Sequence, residues 1–300
     1  MHVVVFGAGS LGSLMGGLLA RAHEVTLVAR PDHARAVRAE GLRVTGEYDL
    51  RVHPDARAEL PASADLVLVT VKAFDTASAA ETLAGMDEAG AVLSLQNGMG
   101  NEETLGSLPW PILAGTTDFG AELRGPGVVR CNGVGEVTLG PPEGGESAAA
   151  DRAGAAFRAA GIETTVADDM PRRLWTKLAV NAGINPTTAL ARVDNGAVLE
   201  EPLAETARAA ARETAEAAPE GVALGPEEAV AAMEDVARAT ADNVSSMRQD
   251  VEAGRRTEVG AINGYVVDRA RVAGLSAPVN ATLAALVGGW ETGEAGPDRG

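Results

Sequence analysis

The sequence predicts an α/β protein: a mostly parallel sheet domain at the N-terminal end, followed by an all-helical C-terminal domain. Three observations carry this expectation. Short, continuous apolar runs alternate with helical patterns over the first hundred residues, as in a parallel sheet covered on both faces. A glycine-rich corner follows the first of these runs. After Asp168 the strand pattern stops, and Ala, Glu, Arg and Leu recur at helical spacing to about residue 290.

In order, residues 2–6 (HVVVF) read as a buried strand, 9–21 as a helix, 24–29 as a strand and 32–40 as a helix. "DLVLVTVK" at 65–72 and "AVLSLQNG" at 91–98 read as the third and fourth buried strands. Between 111 and 140 the spacing shortens, and the segment reads as consecutive antiparallel strands separated by Gly and Pro turns. A helix over 147–160 and a last strand over 161–168 complete the domain. The expected domains are therefore 1–168 and 169–290, with helix breaks near Pro186, Pro219 and Pro278 and a loose Gly-rich tail over 291–300.

Composition narrows the function. The formal net charge is −17, which disfavours nucleic acid and anionic membranes as partners. No run approaches the roughly 18 apolar residues of a membrane span, and the first apolar run lacks the basic start of a signal peptide. One cysteine, Cys131, excludes an internal disulfide framework. A cytoplasmic protein is expected. Of its 25 lysines and arginines only Lys72 and Lys177 are lysine. An acidic, lysine-poor surface suggests a salt-adapted source; a GC-rich coding bias explains it equally well. Arginine does not give up its proton in proteins, whereas a lysine can be tuned to do so. The two retained lysines are therefore the first candidates for chemistry.

Gly7, Gly9 and Gly12 form G-x-G-x-x-G between the first strand and the first helix. The first glycine turns the chain, the second admits a pyrophosphate against the backbone, and the third lets helix and strand pack closely. A helix N-terminus presents backbone N–H groups to phosphate. The domain is thus Rossmann-type, and Gly7, Ala8, Gly9, Ser10, Leu11 and Gly12 are candidate cofactor-binding residues. Arg30 stands at the end of the second strand, where NAD enzymes usually place an acid. An arginine suits a 2′-phosphate, so NADP(H) is expected ahead of NAD(H). Arg30 could instead stack on adenine or face solvent, and Asp32 could reach a ribose hydroxyl.

Lys72 and Asn97 end the third and fourth buried strands, where ligands of open parallel sheets bind; "QNG" also reads as a plain turn. Lys177, Asn181 and Asn185 are spaced four apart and share one helical face. Asparagines weaken helices, so two of them in such a row suggest function. Asn243, Ser246 and Asp250 fall on one face if residues 242–250 are helical. Glu258 precedes an apolar helical run, where a first-turn acid is also favoured by the helix dipole. No metal site is expected.

Taken together, "GAGSLG", "VTVKAFDT", "LSLQNGMGNEE", "WTKLAVNAGINPTTAL", "SSMRQDVEAGRRTEVGAINGYVV" and "APVNATL" resemble the ketopantoate reductase family over nearly the whole chain. The resemblance implies NADPH-dependent reduction of 2-dehydropantoate to pantoate, in the pantothenate and coenzyme A pathway. It implies that Lys177 is the general acid and that Glu258 holds the substrate hydroxyl and positions the lysine. It further implies that Asn243 and Ser246 bind the substrate carboxylate or its neighbouring oxygens, that Asn181 and Asn185 complete the pocket, and that Lys72 and Asn97 lie between nicotinamide and substrate. The substrate is a small anion, for which the two lysines supply local positive charge. A related reductase of another 2-oxo or imino acid is the alternative, with a non-catalytic nucleotide sensor the more distant one. The helical domain is also expected to be where a homodimer would form.

Overall fold

The computed structural model describes residues 1–294, which form two compact units. The first comprises residues 1–96 and 101–170; the second comprises 97–100 together with the helical chain from 171 onward.

The first unit is built from strands β1 (His2–Phe6), β2 (Glu24–Val28), β3 (Leu42–Gly46), β4 (Leu50–Val52), β5 (Asp55–Arg57), β6 (Ser63–Ala64), β7 (Leu66–Val69), β8 (Glu88–Ala89), β9 (Val92–Ser94), β10 (Ile112–Thr117), β11 (Gly120–Gly125), β12 (Val128–Gly133), β13 (Val137–Gly140) and β14 (Thr164–Val166). Its helices are α1 (Ser10–Leu19), α2 (Pro31–Glu40), α3 (Thr76–Leu83), α4 (Asn101–Leu105) and α5 (Ala148–Ala159). Eight strands form the main sheet in the order β14-β13-β10-β9-β7-β1-β2-β5. Every neighbouring pair is parallel except β10–β13.

The apolar runs are unbroken because both sheet faces are covered. Val3, Val5, Leu66 and Leu68 pack into one core cluster, while Val4, Val67 and Val69 pack into another. Alternate residues of β1 and β7 thus feed opposite cores, as the two-residue period of a strand requires.

One expectation needs correction here, and three strands went unread. The segment 111–140 is not one run of sequential antiparallel strands. β10 and β13 belong to the main sheet, while β11 and β12 form a hairpin in a second sheet of order β11-β12-β3-β4. There β12 runs parallel to β3, more than eighty residues earlier in the chain. Strands β3, β4 and β5 were not visible in the sequence pattern at all, because they are short and interleaved with charge.

Among its described residues the regular elements of the second unit are all helices: α6 (Met170–Ala191, whose first residue belongs to the first unit), α7 (Leu203–Glu216), α8 (Pro226–Ala239), α9 (Ser246–Glu252), α10 (Tyr265–Val272) and α11 (Pro278–Glu294). A single π-helical turn, Gly260–Gly264, leads into α10. Pro219 and Pro278 do mark helix boundaries. Pro186 does not: it lies inside the 22-residue α6. Proline has no N–H to give the carbonyl four residues back, and Ala182 O instead accepts from the Asn263 side chain at 3.1 Å.

The expected loose tail is also corrected over 291–294, which continue α11. Glu291 accepts hydrogen bonds from Thr257 N (2.7 Å) and Oγ1 (2.6 Å), which pins the helix end. Residues 295–300 lie outside the described residues.

Candidate active site

The glycine corner is set by close packing at two of its three glycines. Gly7 has φ +98°, and a Cβ there would lie 2.7 Å from Val71 N. A Cβ on Gly12 would meet Gly7 O at 2.6 Å and also crowd Thr70 Oγ1. Gly9 differs: it is exposed, and its Cβ would meet nothing nearer than 3.9 Å. The fold therefore needs Gly7 and Gly12, whereas the open space over Gly9 is what a pyrophosphate approaching the backbone requires. No side chain caps α1, and no acid sits in its first turn. The Ser10 hydroxyl accepts from Leu123 N at 3.1 Å. Ala8 is buried and Leu11 half-buried, so their side chains serve the core.

Arg30 is exposed at the N-cap of α2, two residues beyond β2. Asp32 pairs with Arg35 at 3.5 Å. Behind the corner, His33 is buried and bridges Gly127 N and Ser13 Oγ, each at 3.1 Å. The sequence showed His33 only as one residue of a helix.

Lys72 follows β7 and is half-buried. The backbone just before it is held by Gln96, whose Nε2 donates to Val71 O (3.1 Å) and to Thr76 Oγ1 (2.7 Å). Thr76 Oγ1 donates to Asn101 Oδ1 at 2.8 Å. Glu102, only 8% exposed, sits beside Ser94. Burial pushes its carboxyl up to about 7. This buried network was missed because Gln96 reads only as part of the fourth strand and its turn, and nothing local to Thr76, Asn101 or Glu102 points to it.

In the helical unit, Lys177, Asn181 and Asn185 all fall on α6, as the four-residue spacing requires. Lys177 and Asn181 are half-buried, and Asn185 is buried. Glu258 is 7% exposed and opens the turn that leads to α10; its carbonyl accepts from Ala261 N and Ile262 N. Asn97 belongs to this unit, and its Nδ2 lies 3.5 Å from Glu258 Oε2. Met99 N donates to Ala261 O at 3.0 Å and holds that segment in place.

The shared helical face for Asn243, Ser246 and Asp250 is corrected. Helix α9 begins only at Ser246, because Ser245 is its N-cap and accepts from Arg248 N. Asn243 therefore lies in the preceding turn. Asn243 and Ser246 are both exposed, while Asp250 is buried and accepts from Arg255.

The family model described as ketopantoate reductase PanE/ApbA matches residues 3–144, and its C-terminal counterpart matches residues 169–291. The chain belongs to the ketopantoate reductase family. The 2-dehydropantoate 2-reductase of Halobacterium salinarum is 46% identical over 296 residues, covering 96% of this chain and 98% of its own. Among solved structures, a PanE/ApbA family ketopantoate reductase from Ralstonia eutropha is 34% identical with a TM-score of 0.89, covering 98% of this chain and all of its own. A D-mandelate dehydrogenase in complex with NADH is 25% identical with a TM-score of 0.89, over 98% of this chain and all of its own. As in those reductases, the architecture joins a mostly parallel sheet to a helical C-terminal region. Among the described residues, no helix is long and apolar enough to cross a membrane, and no group of three His, Cys, Asp or Glu is placed to hold a metal ion.

Proposed function

We propose that this chain is a 2-dehydropantoate 2-reductase that uses NADPH. The observation that carries the reading is the row Lys177, Asn181 and Asn185 on α6, in a chain 46% identical over its length to a protein of that name.

The open backbone at Gly9 fits a dinucleotide pyrophosphate, and Arg30 at the end of β2 fits a 2′-phosphate. A bound dinucleotide supplies the hydride that reaches the C2 ketone. Lys177 has the chemistry for the remaining step. As hydride arrives, negative charge develops on the ketone oxygen; a cation aimed there stabilises it, and its Nζ proton completes the alcohol. Arginine could supply the charge but not the proton. The Glu258 carboxylate accepts the substrate hydroxyl and holds the lysine in place, with Asn97 beside it. Asn181 and Asn185 orient polar atoms of the substrate, Asn243 and Ser246 take its carboxylate, and Lys72 adds positive charge for an anion.

A second reading is a sister reductase of another 2-oxo acid, favoured by the likeness to D-mandelate dehydrogenase. One experiment separates the two. NADPH absorbance is followed in molar salt with 2-dehydropantoate and with a panel of aromatic and aliphatic 2-oxo acids, for wild type, Lys177→Ala and Lys177→Arg. Turnover of 2-dehydropantoate is expected, with kcat falling by roughly 10³-fold or more in both variants while NADPH binding is kept. A wild type that binds NADPH and turns over only another member of the panel moves the assignment to that acid.

A further inference from the structure

Proline inside a helix leaves an orphan carbonyl, and here that orphan has a dedicated partner. Pro186 cannot donate to Ala182 O. Asn263 Nδ2 does so at 3.1 Å, from a side chain that is 0% exposed.

The orientation of the Asn263 amide follows from a chain of acceptors. Asn280 Nδ2 donates to Ala210 O (3.0 Å) and Glu213 Oε2 (2.8 Å), both of which can only accept. Asn280 Oδ1 is therefore turned toward Asn263, which donates to it at 2.9 Å. Glu213 is held in turn by the N–H groups of Val279 and Asn280 at the start of α11. Asn263 thus ties α6 to α11, and Asn280 ties α11 to α7; the bonds to Ala182 O, between the two asparagines and to Ala210 O are buried, where hydrogen bonds are strongest because water is excluded.

The position of Asn263 in sequence gives this tie its meaning. It lies in the π-helical turn whose first carbonyls come from Glu258 and Val259: Ala261 N and Ile262 N donate to Glu258 O, and Gly264 N donates to Val259 O. One end of this turn presents Glu258. The other reaches the α6 backbone one residue past Asn181, a turn and a half beyond Lys177. Single-turn π-helical insertions of this kind recur at functional sites.

We propose that Asn263 is a positioning residue of the reductase. By filling the hydrogen bond that Pro186 forgoes, it fixes the helix carrying Lys177, Asn181 and Asn185 relative to the turn carrying Glu258. This rests on the roles assigned to Lys177 and Glu258 above. Small displacements of reacting groups lower turnover out of proportion to their cost in stability.

The test uses the full chain as wild type, Asn263→Ala, Pro186→Ala and the double variant. For each, kcat and KM for 2-dehydropantoate, KM for NADPH and amide hydrogen exchange of the α6 peptides are measured. Asn263→Ala is expected to lower kcat roughly 10- to 100-fold with KM for NADPH unchanged, and to speed exchange over residues 182–190. Pro186→Ala restores a backbone N–H for Ala182 O. In the double variant it should recover most of kcat and slow exchange again, a rescue that loss of general packing would not show. The proposal is overturned if Asn263→Ala leaves kcat and exchange unchanged, or if the double variant remains as impaired as Asn263→Ala. A wild type without turnover of 2-dehydropantoate overturns the substrate reading alone, and the exchange measurements then decide the role of Asn263.

Discussion

The backbone N–H of Gly127 donates to Nδ1 of His33 at 3.1 Å, which leaves the ring proton on Nε2, 3.1 Å from Ser13 Oγ. The Ser13 hydroxyl donates onward to Ala8 O in the glycine corner. This chain works only with a neutral imidazole, and burial lowers the His33 pKa from its ordinary 6.5. As pH falls below about 6.5 the unfolded chain takes up a proton that the folded chain refuses, so stability drops. Denaturant unfolding at pH 5 and pH 7.5 should show this loss. His33→Asn, which can still accept from Gly127, should flatten it; an unchanged slope in the variant would assign the acid sensitivity elsewhere.

Glu102 works in the opposite sense. Its folded pKa of about 7 lies above the unfolded value of 4.5, so its contribution is full below pH 4.5 and is lost as pH rises through 7. Glu102→Gln should stabilise the protein at pH 8 by on the order of 2–3 kcal/mol and change little at pH 4.5. Melting curves at the two pH values measure the difference, and equal shifts at both would contradict the assignment.

Gly9 and Gly12 make a paired test of the nucleotide corner. Gly12→Ala forces a methyl against Gly7 O and should destabilise the fold by about 1–3 kcal/mol. Gly9→Ala meets no such neighbour, so its melting temperature should fall much less while NADPH affinity falls at least as far. Calorimetric titration with NADPH decides; wild-type affinity in Gly9→Ala would remove the pyrophosphate from that position.

Arg30→Ala should raise KM for NADPH by roughly 10- to 100-fold, the worth of a charge-assisted contact, and leave KM for NADH within about a factor of two. Equal effects on both cofactors would mean that Arg30 meets the adenine rather than a 2′-phosphate.

A net charge of −17 repels itself and an anionic substrate alike. Salt shortens the screening length from about 10 Å at 0.1 M to about 3 Å at 1 M. Both melting temperature and substrate affinity should therefore improve as salt rises into the molar range. A KM that climbs steeply instead would show that local attraction by Lys72 and Lys177 outweighs the field of the whole surface.

The residues that could be read in advance are those whose demands are local. The three glycines answer to one corner, and Lys177, Asn181 and Asn185 answer to one helical period. What stayed hidden depends on distant segments. β3 is completed by β12, and nothing within Leu42–Gly46 announces that partner. Pro186 reads as a helix breaker until Asn263, 77 residues later, supplies the missing donor. Asn243 reads as helical until Ser245 takes the cap. Asn263 and Asn280 were visible as letters of a family pattern, but their task could be seen only once three helices were assembled around them.

The four residues 97–100 give the gene an unexpected seam. They are encoded within the sheet-forming half yet fold with the helices: Gly98, at φ +80°, is pressed against Ala261, and Met99 joins the helical core. Recombination between relatives at the 170/171 junction alone would therefore separate this clip from the segment it packs against. Viable chimaeras should be those that inherit 97–100 and the helical half from the same parent. Inheritance here is modular in three dimensions but discontinuous along the chain.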